Sequence, residues 1–221
     1  MNKMMMMPTP MDIRNDKDGN DGNDGKELIS VTLHVADADP KTGKIIGPWT
    51  RVANNSWLKQ FAQILQIMFS LTAGAVIDTA GASKTLNGYY AGDGYAMVVA
   101  SAAGSNTFGI QVGSDAVTPT RDDYALGTLI AHGTGAGQLQ YGTCVVTTIN
   151  AITGGYSIEI TRAMTNNSGD SITVLETGLV CKITDSVPAA TYFLILHDLT
   201  GVVAIADGTA KTFKYTINFL V

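Results

Sequence analysis

Few residues in this 221-residue sequence have the chemistry of a catalyst. The three histidines, His34, His132 and His197, stand apart. His34 alternates with apolar residues in a strand pattern, His132 falls in the Gly-rich turn Ala131 to Gly137, and His197 closes an apolar run. Each placement suits a structural role better than a general base or metal ligand. Glu159 and Glu176, two of only three glutamates, would form a carboxylate pair of the glycosidase kind if they lay on adjacent strands. Strand alternation alone often puts two glutamates on one sheet face, so that pairing is no signature. No G-x-S-x-G elbow, H-E-x-x-H helix or P-loop occurs, and Gly133-Thr134-Gly135-Ala136-Gly137 has no phosphate-binding lysine beside it. The sequence gives no reason to expect an enzyme or a cofactor.

One acidic run deserves a metal test. Asp16, Asp18, Asn20 and Glu27 fall at positions 1, 3, 5 and 12 of a calcium-loop template. The sixth position needs glycine for its sharp turn and holds Asp21, with Gly22 one place late, so an Asx-turn linker is the simpler reading. Cys144 and Cys181 have no C-x-x-C spacing and are expected as buried thiols, with one bridge open to them if their segments are neighbours. The stretch Thr118-Pro119-Thr120-Arg121-Asp122-Asp123-Tyr124 reads as a local capping turn, with Arg121 available to a carboxylate of another subunit.

Composition turns attention from catalysis to surfaces. Charged residues make up 15% of the chain, against about 25% in an average soluble domain, while 45% are apolar and 24 are glycine. The surface is therefore mostly Thr, Ser, Asn, Gln and Gly, or is covered by another subunit. A net charge of -5 with four scattered arginines speaks against nucleic-acid binding. Pro8, Pro10 and Asp12 interrupt the Met-rich start before an export signal can form, and no segment reaches the roughly 18 apolar residues of a membrane span. The expectation is a chain made in a cytoplasm, with no membrane insertion.

The pattern divides the chain into an arm, residues 1–27, and a single β-sandwich domain, residues 28–221. The arm ends in the low-complexity run Asp16 to Gly25 and is flexible or held by a partner. From Leu28, Ile29, Val31, Leu33 and Val35 alternate with Ser30, Thr32 and His34, as in a half-buried strand, and Asp39 to Gly43 turns the chain back through Lys44-Ile45-Ile46. One helix is expected over about 56–71, capped by Asn54, Asn55 or Ser56, with Trp57, Phe61, Ile64, Leu65 and Met68 as its apolar stripe. Strands follow over 95–100, 108–112, 139–149, 156–165, 172–183, 192–197 and 212–220. Many strands without interleaved helices argue for a mainly β fold: an antiparallel β-sandwich or jelly-roll-like domain with one amphipathic helix and an extended N-terminal arm.

The order of motifs adds a resemblance. Phe108-Gly109-Ile110-Gln111-Val112-Gly113, then Thr118-Pro119, Asp123-Tyr124-Ala125-Leu126 and Gly137-Gln138-Leu139-Gln140-Tyr141 are followed by Asn166-Asn167-Ser168-Gly169 and Ile172 to Leu179, where Glu176 precedes a Gly-Leu pair. Tyr192 to Asp198, Asp207-Gly208-Thr209 and the terminal strand complete the series. Over residues 28–221 this resembles β-sandwich structural proteins of tailed-bacteriophage and prophage virions. Those relatives usually have arginine where this chain has His197, which leaves open whether an arginine-to-carboxylate contact has an equivalent here. The resemblance implies a non-enzymatic tail-tip, fibre, collar or capsid-surface component, assembled in the host cytoplasm. It also implies a homo-oligomer in contact with other virion proteins, its arm joining a neighbour's sheet by strand addition. An extracellular filament subunit joined by strand exchange is the alternative. A module binding a host-surface glycan or receptor is another, with Trp49, Tyr89, Tyr90 and Tyr95 as its aromatic candidates and as candidate interface residues alongside Arg121.

Overall fold

Alternation of apolar and polar residues builds the larger of two sheets. In the computed structural model, which describes residues 29–54, 57–70, 72–87, 96–184 and 190–220, β1 (Ile29–Ala38) buries Val31, Leu33 and Val35 while Ser30, Thr32 and His34 stay half-exposed. Its C-terminal turn works as the sequence suggests. The Asp39 carboxylate accepts hydrogen bonds from the Lys41 and Thr42 amides and from the Thr42 hydroxyl, and Gly43 takes the positive φ of 69° that closes the turn. The returning arm differs from expectation: Ile45 makes a single bridge to Ala38, and the paired strand is β2 (Thr50–Asn54).

β1 lies between β2 and β12 (Ala210–Leu220), and β12 pairs in turn with β9 (Gly155–Thr165). Short strands β6 (Gln140–Tyr141), β7 (Val145–Val146) and β8 (Asn150–Ile152) complete this sheet along β9. The expected strand over 139–149 is thus broken into β6 and β7. The second sheet runs β11-β10-β5, from β5 (Gly109–Gly113), β10 (Ile172–Thr184) and β11 (Ala190–Ile205). All these strand pairs are antiparallel. Leu33, Phe213, Tyr215 and Met164 of the first sheet join Ile110, Val112, Leu179 and Phe193 of the second in one core. The fold is mainly β and sandwich-like, as the alternation implies.

A hairpin of β3 (Gly74–Ile77) and β4 (Ser83–Leu86) escapes the sequence reading, because four-residue strands show too little periodicity. Where a strand is expected over 95–100, Val98 makes one bridge to Lys182, and Tyr95 lies outside the described residues.

The helix, α1, spans Lys59–Ser70, shorter than expected and turned by about one position: Gln60, Ile64 and Ile67 are buried, whereas Met68 is 37% and Phe69 81% exposed. Its start is fixed by tertiary structure. Asn54 ends β2, Asn55 and Ser56 lie outside the described residues, and the Leu58 and Lys59 amides donate to the Ile195 and Arg121 carbonyls. Ile64→Ala is expected to cost about 2–5 kcal/mol, and Met68→Ala less than about 0.5 kcal/mol. Urea unfolding checks this, and equal effects would contradict the orientation of α1.

Candidate functional site

A buried polar cluster grows from a bulge in β11. Leu179 pairs with Leu196 and Val180 with Leu194, so Ile195 is skipped and the alternation inverts. Downstream, Leu196 stays in the core, Asp198 turns inward to accept the Tyr215 hydroxyl at 3.0 Å, and His197 turns to the outer face of the sheet. Gly178 lies opposite His197, and Glu176, two residues back on β10, shares its face.

Two glycines make room on that face. A Cβ at Gly113, the β5 partner of Glu176, would lie 2.3 Å from the glutamate's Oε1. One at Gly178 would lie 2.6 Å from Leu194 and 3.0 Å from Leu126. Backbone without side chains lets the 114–128 loop settle on the sheet and seat Leu126.

Once seated, the loop is fastened electrostatically. His197 Nε2 is 2.9 Å from Glu176 Oε2, and Nδ1 is 2.8 Å from Asp123 Oδ2. Glu176 also accepts the amides of Thr128 at 2.8 Å, Gly127 at 3.0 Å and Asp115 at 3.3 Å, so one carboxylate holds both ends of the loop. Asp123 is oriented by Thr120, whose amide and hydroxyl both donate to it. The His197 side chain is 5% and that of Glu176 1% exposed.

A carboxylate at each ring nitrogen calls for two N–H donors, which only the imidazolium has. Burial works against that charge, but the hydrogen bonds and charges of Glu176 and Asp123 outweigh it and raise the His197 pKa above its ordinary value. Burial likewise pushes Glu176 up, and its bonds from His197, Thr128, Gly127 and Asp115 more than reverse the effect. Asp123 follows the same pattern: burial raises it, and Thr120 and His197 bring it below the usual carboxylate range.

A cavity of about 170 Å³ adjoins the cluster, lined in part by Val117, Thr118, Thr120 and Ala125. The hydroxyl next in line, Thr120 Oγ1, meets Asp123 rather than the imidazole, the reverse of the order that activates a nucleophile. Both imidazole nitrogens are engaged, so the arrangement acts as a clasp on the loop. Among the described residues no group of three or more His, Cys, Asp or Glu is set to hold a metal ion.

No family model, no curated protein and no solved structure matches this chain. Residue chemistry therefore carries the functional reading.

The other expected residues fall as follows. Asp16, Asp18, Asn20 and Glu27 of the calcium candidate, and Tyr89 and Tyr90 of the aromatic set, lie outside the described residues. Trp49 offers its ring to Lys214, whose Nζ is 4.4 Å from the ring centroid and 2.7 Å from Glu159. Glu159 and Glu176 belong to different sheets, so the adjacent-strand placement that a carboxylate pair of these two would need is not met. Arg121 sits 3.7 Å from Asp122 of its own turn. Cys144 and Cys181 are buried free thiols, the latter with its pKa pushed up to about 12 by burial. His132 Nδ1 accepts the Tyr141 amide at 3.1 Å, a structural contact.

Sequence reasoning missed the joining of His197, Glu176 and Asp123, although all three stand in the motifs of the virion-protein resemblance. At position 197 the imidazole meets two carboxylates, those of Asp123 and Glu176. No helix of the described residues is long and apolar enough to cross a membrane.

Proposed function

We propose that the chain is a non-enzymatic structural protein of a phage virion, a tail-tip, fibre, collar or capsid-surface component. It associates with copies of itself and with other virion proteins through its sheet faces and N-terminal arm, and it is assembled in the host cytoplasm. The observation that carries this reading is a strip of uncovered sheet. Along the core-facing side of the larger sheet, Leu33 and Tyr215 are 0% exposed and Val31 is 1% exposed. Two residues further along, the same face emerges into solvent: Ile29, Phe219, Tyr156 and Ala151 stand in register across four strands, the first three 53%, 36% and 50% exposed.

A contiguous apolar strip of this kind is what a second subunit removes from water. Low charge fits, since faces rich in Thr, Ser and Asn stack without like-charge repulsion. The clasp fits too, because a loop locked to its sheet keeps the outer surface in one shape for repeated packing.

The test is sedimentation velocity of the full chain beside a Tyr156→Lys/Phe219→Lys variant. The full chain is expected to sediment as an oligomer and the variant to shift toward monomer. Identical oligomers from both would remove the strip from the interface, and a monomeric parent would contradict the proposal.

A further inference from the structure

A groove with a preformed wall lies beside the clasp loop, which supplies Arg121 and Asp122 to it. It has a volume of about 490 Å³, with Trp57 and Phe61 on one side and Lys59, Arg121 and Asp122 at its rim. The two rings stack 4.2 Å apart at 19°. Trp57 is bridged to Leu196, and the Lys59 amide donates to the Arg121 carbonyl at 3.0 Å, so aromatic wall and charged rim are tied together by main chain. Such a groove needs little ordering on binding.

Its charge does not balance. Lys59 Nζ lies 3.2 Å from Asp122 Oδ1 and Arg121 Nε 3.7 Å from Asp122 Oδ2, so two cations share one carboxylate. The Arg121 side chain is 87% exposed, leaving its guanidinium open to a second anion. An occupant that suits both halves combines a flat apolar C–H face with a planar carboxylate and hydroxyls for the rim. A pyranose ring has the face, and a uronic acid carries the carboxylate that a guanidinium binds bidentately.

We propose that this groove binds an acidic saccharide, its ring against the Trp57 and Phe61 wall and its carboxylate on Arg121. The groove is formed by the residues of one chain, so the proposal does not rest on the virion reading. With it the chain would hold a surface glycan while its sheet faces make subunit contacts.

Saturation-transfer NMR on the full chain tests it, with a tetrasaccharide of alternating glucuronic acid and N-acetylglucosamine as probe and the same tetrasaccharide with its carboxylates reduced to alcohols as control. The acidic probe is expected to take up saturation, and titration should show its affinity falling about tenfold on carboxylate reduction or in Arg121→Gln. Arg121→Gln changes an exposed side chain and should leave the circular dichroism spectrum and unfolding midpoint unchanged. No saturation of the acidic probe overturns the proposal, as does equal affinity for acidic and reduced probes or for parent and variant. Binding of an aromatic peptide with a free C-terminal carboxylate, without binding of the saccharide, would assign the groove to a protein partner instead.

Discussion

Arg162→Leu is expected to abolish the folded state. Arg162 is 1% exposed, and its neighbourhood holds main-chain oxygen rather than a carboxylate partner. Nε donates to the Gly142 carbonyl at 2.8 Å, Nη1 to those of Phe108 at 3.1 Å and Ile110 at 3.0 Å, and Nη2 to those of Ala102 at 3.3 Å and Ser105. The five N–H groups of a guanidinium are thereby all used, and the charge also faces the Tyr141 ring, 4.8 Å from its centroid. Burial lowers the Arg162 pKa without threatening its charge at any ordinary pH.

This one side chain ties β9 to β5 and to the irregular 101–108 segment. A fully buried carbonyl left without a donor costs about 1–3 kcal/mol. Only the Ile110 bond is fully buried, the other four are partly buried and the Ala102 carbonyl also accepts the Ser105 amide, so the low end of that range applies. The sum still approaches the lower end of the roughly 5–15 kcal/mol that holds a typical domain folded. Arg162→Lys, a compact ammonium with three donors, should fall between and give a measurable urea midpoint well below the parent's. A loss under about 2 kcal/mol in Arg162→Lys, with Arg162→Leu still folded, would contradict this role.

The second large effect is expected at the clasp. His197→Leu leaves Glu176 buried without its cation and Asp123 without its partner, a change that typically costs about 3–5 kcal/mol. Its pH dependence has a definite sign. Because folding raises the His197 pKa, the imidazolium's contribution is full below the unfolded histidine value and is lost as pH rises through the raised folded value. Because folding lowers Asp123 and Glu176, theirs is full above the ordinary carboxylate range and is lost as pH falls through the depressed folded values.

The parent should therefore be most stable between these limits, and His197→Leu should lose the part of the alkaline decline due to His197. Denaturant unfolding across pH reads both limbs. Parallel alkaline limbs in parent and variant would show that His197 is not a buried cation. Amide exchange at Gly127 and Thr128 should accelerate in the variant, since both donate to Glu176.

Legibility in the sequence followed distance along the chain. β1 and β12 were readable because one face of each carries buried apolar residues and the other is mostly half-exposed and polar, so the period of 2 survives in the residue types. β11 was readable as a strand only in part: Phe193 to Asp198 are buried on both faces, which erases alternation, and the skipped Ile195 inverts what remains. His197 thus looked like the end of an apolar run. Its partner Asp123 lies 74 residues away and looked like a turn residue, which it also is. Arg162 read as one scattered charge, since nothing local marks a side chain whose partners lie 20 to 60 residues distant. The apolar stripe of the helical segment was legible at Trp57, Phe61 and Ile64, which pack on the core, but not at its edge, where polar Gln60 is buried and Met68 is exposed.

We propose that this chain works by assembling, and light scattering with negative-stain imaging of the full chain over a concentration series puts that proposal to the test. A discrete oligomer is expected, a ring, trimer or tube whose mass is a whole multiple of 23.2 kDa, weakened when residues 1–27 are removed from a domain that stays folded. A monomer at every concentration, with or without calcium, would overturn the assembly proposal.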